Sequence, residues 1–166
     1  VYLRELIGRT PQFSWLFVGP TDMPVRDPEQ SKARELLLSA GGRVRFLGSR
    51  PYGSLQGYAR AFDVAVLPYR KHEPTYSGSS TRFYEHLAAC RPMLATRGFA
   101  ELLEKEPLLR LSSVPAESAD YLSALSDLHF TDGQEQARWE ASRSGTWEAR
   151  VSTLTSALAE RCLHVK

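Results

Sequence analysis

A run of small and hydroxyl-bearing residues stands directly before a basic and an acidic side chain. The run comprises Gly78, Ser79, Ser80, Thr81, Arg82 and, three residues further on, Glu85. If a helix begins at Ser80, its first backbone N–H groups have no partner inside the helix, and the helix dipole favours an anion beside them. Small residues let that anion approach closely, and Arg82 adds a positive charge that suits phosphate. The pattern predicts a phosphate site.

Glu85 extends this site by one sugar ring. It lies four residues after Thr81, so the two share one helix face across a rise of about 6 Å. Because helical side chains lean toward the N-terminus, the carboxylate can reach both hydroxyls of a ribose whose phosphate is bound at Ser80. The helix start therefore predicts a site for a nucleoside diphosphate. An ordinary Ser N-cap followed by a solvated Glu is the alternative, and it stays open at this point.

The elements around this run alternate between strand and helix five times, with short connections. Apolar strands are predicted over residues 13–18, 44–48, 63–68 and 92–96, with a weaker one over 108–111. Helices are predicted over 1–9, 80–89 and 101–104, and from Asp27 and Leu55 onward. This alternation is typical of an α/β protein with an open, doubly wound, Rossmann-like parallel sheet.

We expect one Rossmann-like domain, with the predicted nucleoside-diphosphate site, over residues 1–166. Residues 1–112 form the sheet and its helices. Residues 113–166 form a helical tail with helices over 116–128, 133–142 and 147–162, which wraps one edge of the sheet. The last helix carries an apolar stripe of Trp147, Val151, Leu154, Leu158 and Cys162.

Open sheets of this kind bind ligands outside the carboxyl ends of their strands. The loops that follow Val18, Leu47, Leu67 and Ala95 are therefore the predicted ligand loops. The longest of them spans 69–79 and leads into the helix at Ser80. Since most connections in compact domains are shorter, this loop is expected to have a function.

Composition and missing motifs narrow the function classes. A formal charge of +2 argues against a general nucleic-acid binder. The chain has no Asp-x-Asp pair, no Gly-x-Gly-x-x-Gly and no P-loop, so we expect no metal, and neither dinucleotide nor nucleoside-triphosphate chemistry is indicated. Cys90 and Cys162 belong to no metal-binding pattern, and we expect reduced thiols in a cytoplasmic protein.

Three stretches, 44–48, 67–70 and 80–96, resemble the C-terminal domain of GT-B glycosyltransferases, most closely the bacterial group related to glycosyltransferase family 4. In that group the last stretch typically contains Ser-Pro-x-Lys, then Glu-Tyr-Leu-Ala, then Gly, a basic residue, Pro and an apolar strand. The similarity extends in order and spacing over residues 1–112. It implies a domain that binds a nucleoside-diphosphate sugar such as a UDP-sugar, without a metal cofactor, in a hexosyltransferase-like enzyme.

The resemblance assigns roles to nine residues of this chain. Glu85 matches the ribose-binding Glu, and Arg82 matches the basic residue near the phosphates. The turn that holds the diphosphate matches Ser80 and Thr81, the loop beside the base matches Gly48, Ser49 and Arg50, and the loop facing the sugar matches Tyr69 and Arg70. Ser79, which belongs to the phosphate site predicted from the helix start, completes the predicted donor-binding set.

The chain also departs from the family at three positions. Thr81 stands where Pro is usual, and Cys90 stands where Gly is usual. Many retaining members have a second Glu eight residues before the ribose-binding one, and Ser77 occupies that position here. Glu73 is the acid of this loop and is out of register. The sugar contact that normally accompanies the ribose contact is therefore unassigned.

In the resembling family the acceptor and any catalytic base belong to an N-terminal domain, and the first strand of the donor domain would precede Val1. The opening residues lack an initiator Met and begin inside an amphipathic pattern, so we expect a piece of a longer chain that alone binds donor weakly and transfers nothing. The resemblance implies bacterial polysaccharide or glycoconjugate synthesis at the inner face of the membrane, with peripheral association through the full-length protein. A GT-B nucleotide-sugar epimerase and a non-catalytic doubly wound scaffold or signalling domain are the alternatives.

Overall fold

The computed structural model describes residues 1–163 except 23, 25, 26 and 74, and it describes no side chains for 161–163. This part of the chain contains seven α-helices and five strands. In chain order they are α1 (Tyr2–Arg9), β1 (Trp15–Phe17), α2 (Pro28–Ser39), β2 (Val44–Phe46), α3 (Leu55–Ala61), β3 (Ala65–Leu67), α4 (Thr81–Leu87), β4 (Met93–Ala95), β5 (Arg110–Leu111), α5 (Pro115–Asp127), α6 (Glu135–Ser144) and α7 (Trp147–Leu163), with single 3-10 turns at Tyr52–Ser54, Thr75–Ser77 and Glu101–Glu104.

The strands are all parallel, as the alternation predicts, but they form two sheets. β1 pairs with β2 in one sheet, and the order β3–β4–β5 makes the other. Each strand is two or three residues long, shorter than its apolar run in the sequence. The α/β class is therefore confirmed, while one continuous five-stranded sheet is not found in the described residues.

Two apolar clusters hold the helices against the strands. One lies under α4, where Phe83 and Leu87 pack on Met93, Leu102 and Leu111. The other centres on α1, where Leu6 and Ile7 are in one cluster with Trp15, Leu94 and Leu122. The second cluster joins side chains from both sheets, so the two sheets share a core.

The start and end of α2 follow their sequence signals. Asp27 caps the helix by accepting hydrogen bonds from the backbone N–H groups of Glu29 and Gln30 at 3.0 and 3.4 Å. The end is followed by two glycines with positive φ, a common arrangement after a helix. Its predicted apolar stripe is only partly correct, because Ala33 is buried whereas Leu36 remains 46% exposed.

The helical tail differs from the prediction in its last element. α5 packs on α1 and α6 packs on α4, whereas the stripe of α7 is not buried: its residues Trp147, Val151, Leu154 and Leu158 are all exposed. The fifth stripe position, Cys162, has no described side chain. Within the described residues, no helix combines the length and the apolar character needed to cross a membrane.

The turn after α4 gives a first testable prediction. Cys90 has φ of 57°, a left-handed conformation that costs a non-glycine residue about 1–2 kcal/mol. Cys90→Gly removes that strain but adds chain entropy to the unfolded state. We expect the free energy of unfolding to rise by about 0.5–1 kcal/mol in a denaturant titration. Ala89→Gly is the control and should lower it, and a loss of stability in Cys90→Gly would contradict the strain argument.

Candidate functional site

Ser80 begins α4 as the spacing predicts. Its hydroxyl accepts a hydrogen bond from the backbone N–H of Phe83 at 3.3 Å, with φ −83° and ψ 93° at the cap. The residue is 1% exposed, and Ser79 and Thr81 on either side are exposed. The capping residue is therefore buried, while the residues on either side of it are open to solvent.

A carboxylate of the chain itself lies at this helix start. One oxygen of Glu101 accepts the backbone N–H of Ser80 at 3.1 Å, and the other accepts the hydroxyl of Tyr84 in a short hydrogen bond. Burial raises the pKa of Glu101, but the hydrogen bonds from Tyr84, Ser79 and Ser80 together lower it by more, so the pKa lies below its usual value. Glu101 thus accepts a hydrogen bond from one of the N–H groups that the sequence predicts to bind a phosphate.

Tyr69 connects the predicted sugar loop to the predicted phosphate turn. Its hydroxyl is hydrogen-bonded to the Ser80 hydroxyl at 3.0 Å, and its ring packs edge-on against Phe99 at 4.5 Å. Burial raises the pKa of Tyr69, the Ser80 bond and the Arg82 charge lower it, and the Glu85 charge raises it. The hydroxyl of Tyr69 therefore interacts with Ser80, Arg82 and Glu85. We call these four residues the Tyr69 cluster.

Arg82 and Glu85 are paired with each other across one helix turn. Arg82 Nη1 lies 2.7 Å from Glu85 Oε2, with the two side chains 56% and 32% exposed. An exposed pair of this kind contributes about 0–1 kcal/mol. A ligand that offers a phosphate to Arg82 and hydroxyls to Glu85 can therefore replace the pair at little cost.

The loop predicted to lie beside the base belongs to the other sheet. Gly48 follows β2 with φ of 70° and accepts the N–H of Gly19 at 3.0 Å. Ser49 is exposed, and Arg50 donates to the hydroxyl of Tyr58 at 3.2 Å. None of the hydrogen bonds and ion pairs of the described residues that involve Ser49 or Arg50 joins this loop to the Tyr69 cluster.

A cavity of about 660 Å³ lies at the carboxyl ends of β3, β4 and β5, within the size range of small-molecule sites. Tyr69 and Arg70 line it, and Arg70 lies 3.8 Å from Asp27 at the start of α2. Two backbone N–H groups from the first turn of α2 hold the pKa of Asp27 below its usual value. The cations on the cavity wall are Arg4, Arg34, Arg70, Lys71 and Arg97, and the acids are Asp27 and Glu29. This excess of positive charge favours an anionic ligand.

The acid of the long loop is held next to the position at which the family has its second Glu. Ser77 donates its hydroxyl to a carboxylate oxygen of Glu73 at 3.1 Å. The 3-10 turn at Thr75–Ser77 brings these two residues together. Pro74, which stands between them in the sequence, lies outside the described residues.

Two histidines, His86 and His72, belong to α4 and to the long loop before it. Burial lowers the pKa of His86, while the Glu85 charge opposes that shift. Its ring lies 6.4 Å from that of Phe62, and its Nδ1 has no hydrogen-bond partner among the described residues. His72 is exposed. No group of His, Cys, Asp and Glu in the described residues is arranged to hold a metal ion, and the absence of a metal cofactor stays a prediction.

Gly98 fixes the distance between the loops after β3 and β4. A Cβ on Gly98 would lie 2.7 Å from the backbone carbonyl carbon and oxygen of Tyr69. Gly98→Ala must therefore displace Tyr69, and we expect about 1–3 kcal/mol of lost stability in a denaturant titration. Gly57→Ala in α3 is the control, because nothing lies within 4 Å of its added Cβ; it should be neutral or stabilising. Equal stability of the two variants would refute the close contact.

No protein-family model matches this chain, and a search of curated proteins finds no match.

Proposed function

We propose that this chain is the donor-binding domain of a GT-B glycosyltransferase, which transfers a sugar from a nucleoside-diphosphate sugar to an acceptor hydroxyl. The proposal implies a doubly wound, Rossmann-like domain that forms one half of a GT-B fold. The parallel strands and the helices between them are compatible with such a domain. The leaving diphosphate carries developing negative charge, which a helix start and an Arg can stabilise. We place the whole protein in bacterial polysaccharide or glycoconjugate synthesis.

The Tyr69 cluster is the observation that carries the proposal. Tyr69 lines the cavity at the strand ends and is bonded to Ser80, and Arg82 and Glu85 follow on the same helix. The residues that we propose to bind the phosphate, the ribose and the sugar are thus linked by the Tyr69–Ser80 hydrogen bond and by the first turns of α4. The left-handed Cys90 is a second, independent support, because the resembling family has Gly at this position.

Glu73 is the residue we assign to the sugar contact. The family's second Glu corresponds to Ser77, and the Glu73 carboxylate is bonded to the Ser77 hydroxyl. An acid reaching this position from four residues upstream replaces the missing side chain. The assignment concerns binding of the donor sugar and names no catalytic base.

Nucleotide-dependent stabilisation tests the proposal. The chain is heated with UDP, GDP or ADP, and with inorganic pyrophosphate as the control for the charge alone. A donor domain should be stabilised by one of the three nucleotides more than by pyrophosphate, since a ligand at 100 times its Kd adds about 2.7 kcal/mol. A chain indifferent to all three nucleotides would contradict the proposal.

One observation favours the non-catalytic scaffold instead. The carboxylate of Glu101 already satisfies the N–H of Ser80, so this N–H group needs no external anion. If a diphosphate binds here, it must displace that carboxylate. The two functions therefore differ in how removal of the Glu101 charge affects the affinity for a nucleoside diphosphate.

Glu101→Gln separates the two functions. The donor proposal predicts binding of the preferred nucleoside diphosphate to tighten by about fivefold, because a neutral amide competes less well than a carboxylate for the Ser80 N–H. Glu104→Gln, in the same turn and exposed, is the control for the loss of charge. Affinity is measured by calorimetric titration at fixed ionic strength. Unchanged or weaker binding in Glu101→Gln would contradict a diphosphate at the Ser80 N–H, and absence of nucleotide binding in both parent and variant would favour the scaffold.

A further inference from the structure

Tyr84, on the helix that starts at Ser80, has no role in the predicted site but is bonded to the residue that covers the helix start. Its hydroxyl donates a short hydrogen bond to one oxygen of Glu101, and the other oxygen accepts the N–H of Ser80 at 3.1 Å. Burial raises the pKa of Glu101, and the bond from Tyr84 is the largest of the effects that lower it. Whatever holds Tyr84 therefore also determines how firmly Glu101 is held at Ser80.

The ring of Tyr84 is held by the turn that joins α6 to α7. The guanidinium carbon of Arg150, in the first turn of α7, lies 4.6 Å from the ring centroid and over the ring face. A cation at this distance is attracted by the ring. On the side of α6, a Cβ added to Gly145 would lie 2.9 Å from Cδ1 of the ring, so the backbone of the turn touches Tyr84. The position of the ring is thus set by two elements that follow α4 in the chain.

Arg150 acts on the hydroxyl of Tyr84 as well as on its ring. Burial and the bond to Glu101 raise the pKa of Tyr84, whereas the charge of Arg150 lowers it. A phenol that is more acidic is a stronger donor, and hydrogen bonds in a chain strengthen one another. Arg150 therefore strengthens the bond from Tyr84 to Glu101. A cation that acts on Glu101 directly is Lys105.

The contact of Arg150 also connects the site to an element that is otherwise open to solvent. Residues 151–160 of α7 are exposed at every position. The first turn of this helix thus makes the contact that reaches α4. A change in the position of that turn is transmitted to Ser80 through two side chains, those of Tyr84 and Glu101.

We propose that Arg150 is a positioning residue for the helix start at Ser80. Arg150 holds the ring and the hydroxyl of Tyr84, Tyr84 holds the carboxylate of Glu101, and Glu101 holds the N–H of Ser80. Arg150 acts through the Tyr84 hydroxyl and not through a contact of its own with a bound nucleotide. This chain of contacts is independent of nucleotide binding, whereas its effect on affinity rests on the proposed function.

Hydrogen exchange of the Ser80 amide, followed by NMR, tests the chain of contacts. Arg150→Gln should speed exchange by about threefold, and Tyr84→Phe, which keeps the ring but removes the donor, by about tenfold. Arg150→Lys retains a cation that can lie over the ring, so it should keep most of the protection. The matched control is Arg143→Gln, which removes the same charge from an exposed position of α6 and should exchange like the parent.

A double variant separates positioning from a general effect of charge or packing. If Arg150 acts through the Tyr84 hydroxyl, then Arg150→Gln added to Tyr84→Phe speeds Ser80 exchange no further. A further acceleration in the double variant would overturn the proposal, as would parent-like exchange in Arg150→Gln. Should Tyr84→Phe fail to fold, Arg150→Gln and Arg150→Lys decide the question, because equal exchange in these two variants would also overturn it.

Affinity for the preferred nucleoside diphosphate is the second measurement. Because Glu101 competes with the diphosphate for the Ser80 N–H, Arg150→Gln should tighten binding by about twofold. Weaker binding would overturn the positioning role, since it would indicate a direct contact of Arg150 with the phosphates. If neither parent nor variant binds nucleotide while Arg150→Gln still speeds Ser80 exchange, the proposed function fails and the positioning role of Arg150 stands.

Discussion

Replacing Glu85 with alanine is expected to weaken binding of the preferred nucleoside diphosphate by about 100-fold. A carboxylate that accepts two ribose hydroxyls makes hydrogen bonds worth about 1.5–3 kcal/mol each, and 1.4 kcal/mol is a factor of ten. The substitution also frees Arg82 from its ion pair, which returns a small part of the loss through the phosphate. Calorimetric titration of parent and variant under the same salt conditions measures the effect.

Two further variants make the Glu85 result specific. Glu85→Gln keeps the size and one acceptor of the side chain, so its affinity for the nucleoside diphosphate should lie between that of the parent and that of Glu85→Ala. Glu140→Ala removes the same charge from an exposed position of α6 and should leave the affinity unchanged. Equal losses in Glu85→Ala and Glu140→Ala would show that only overall charge matters, and would exclude a ribose contact.

Replacing Asp132 with asparagine is expected to destabilise the chain by about 3–5 kcal/mol, because it leaves a buried charge without its partner. Arg138 is fully buried, and both Nη groups bond to the carboxylate of Asp132 while Nε bonds to the carbonyl of Leu108 at 2.7 Å. Asp132 also accepts the N–H of Gln134 before α6. The pair thus attaches α6 to the segment that enters β5.

The loss is measured as the free energy of unfolding in a denaturant titration. Asp127→Asn, at an exposed position of α5, is the control and should change stability by less than about 0.5 kcal/mol. A stable Asp132→Asn variant would contradict full burial of Arg138. Arg138→Met together with Asp132→Leu should recover part of the loss, because a buried pair can be replaced by apolar side chains of similar volume.

The elements of the fold follow from local sequence signals. Asp27-Pro28 predicts the start of α2, and Ser80 predicts the start of α4, because a capping side chain acts on N–H groups two or three residues away. The grouping of strands into two sheets was not predicted from the sequence, since edge pairing depends on which strands become neighbours in space. The exposure of the α7 stripe was missed for the same reason, because periodicity predicts an apolar face but not its partner.

The candidate site is predictable only where its contacts are local. The spacing from Ser80 to Glu85 predicts a shared helix start, and the Arg82–Glu85 pair lies there. Glu101 was missed, because it reaches Ser80 from 21 residues further along the chain through a 3-10 turn after β4. An acid that follows the predicted ligand loop after β4 is the sequence signal that could have found it. In the sequence Glu73 is out of register with the family's second Glu, and the turn at 75–77 brings it to Ser77.

The structure of the chain in complex with UDP, GDP or ADP, whichever stabilises it most, tests the central claim most directly. The account predicts the diphosphate at the N–H groups of Ser80 and Thr81 and at Arg82, the two ribose hydroxyls on the carboxylate of Glu85, and Glu101 withdrawn from Ser80. A nucleotide bound elsewhere, with Glu101 still bonded to Ser80 and Glu85 still paired with Arg82, would contradict it.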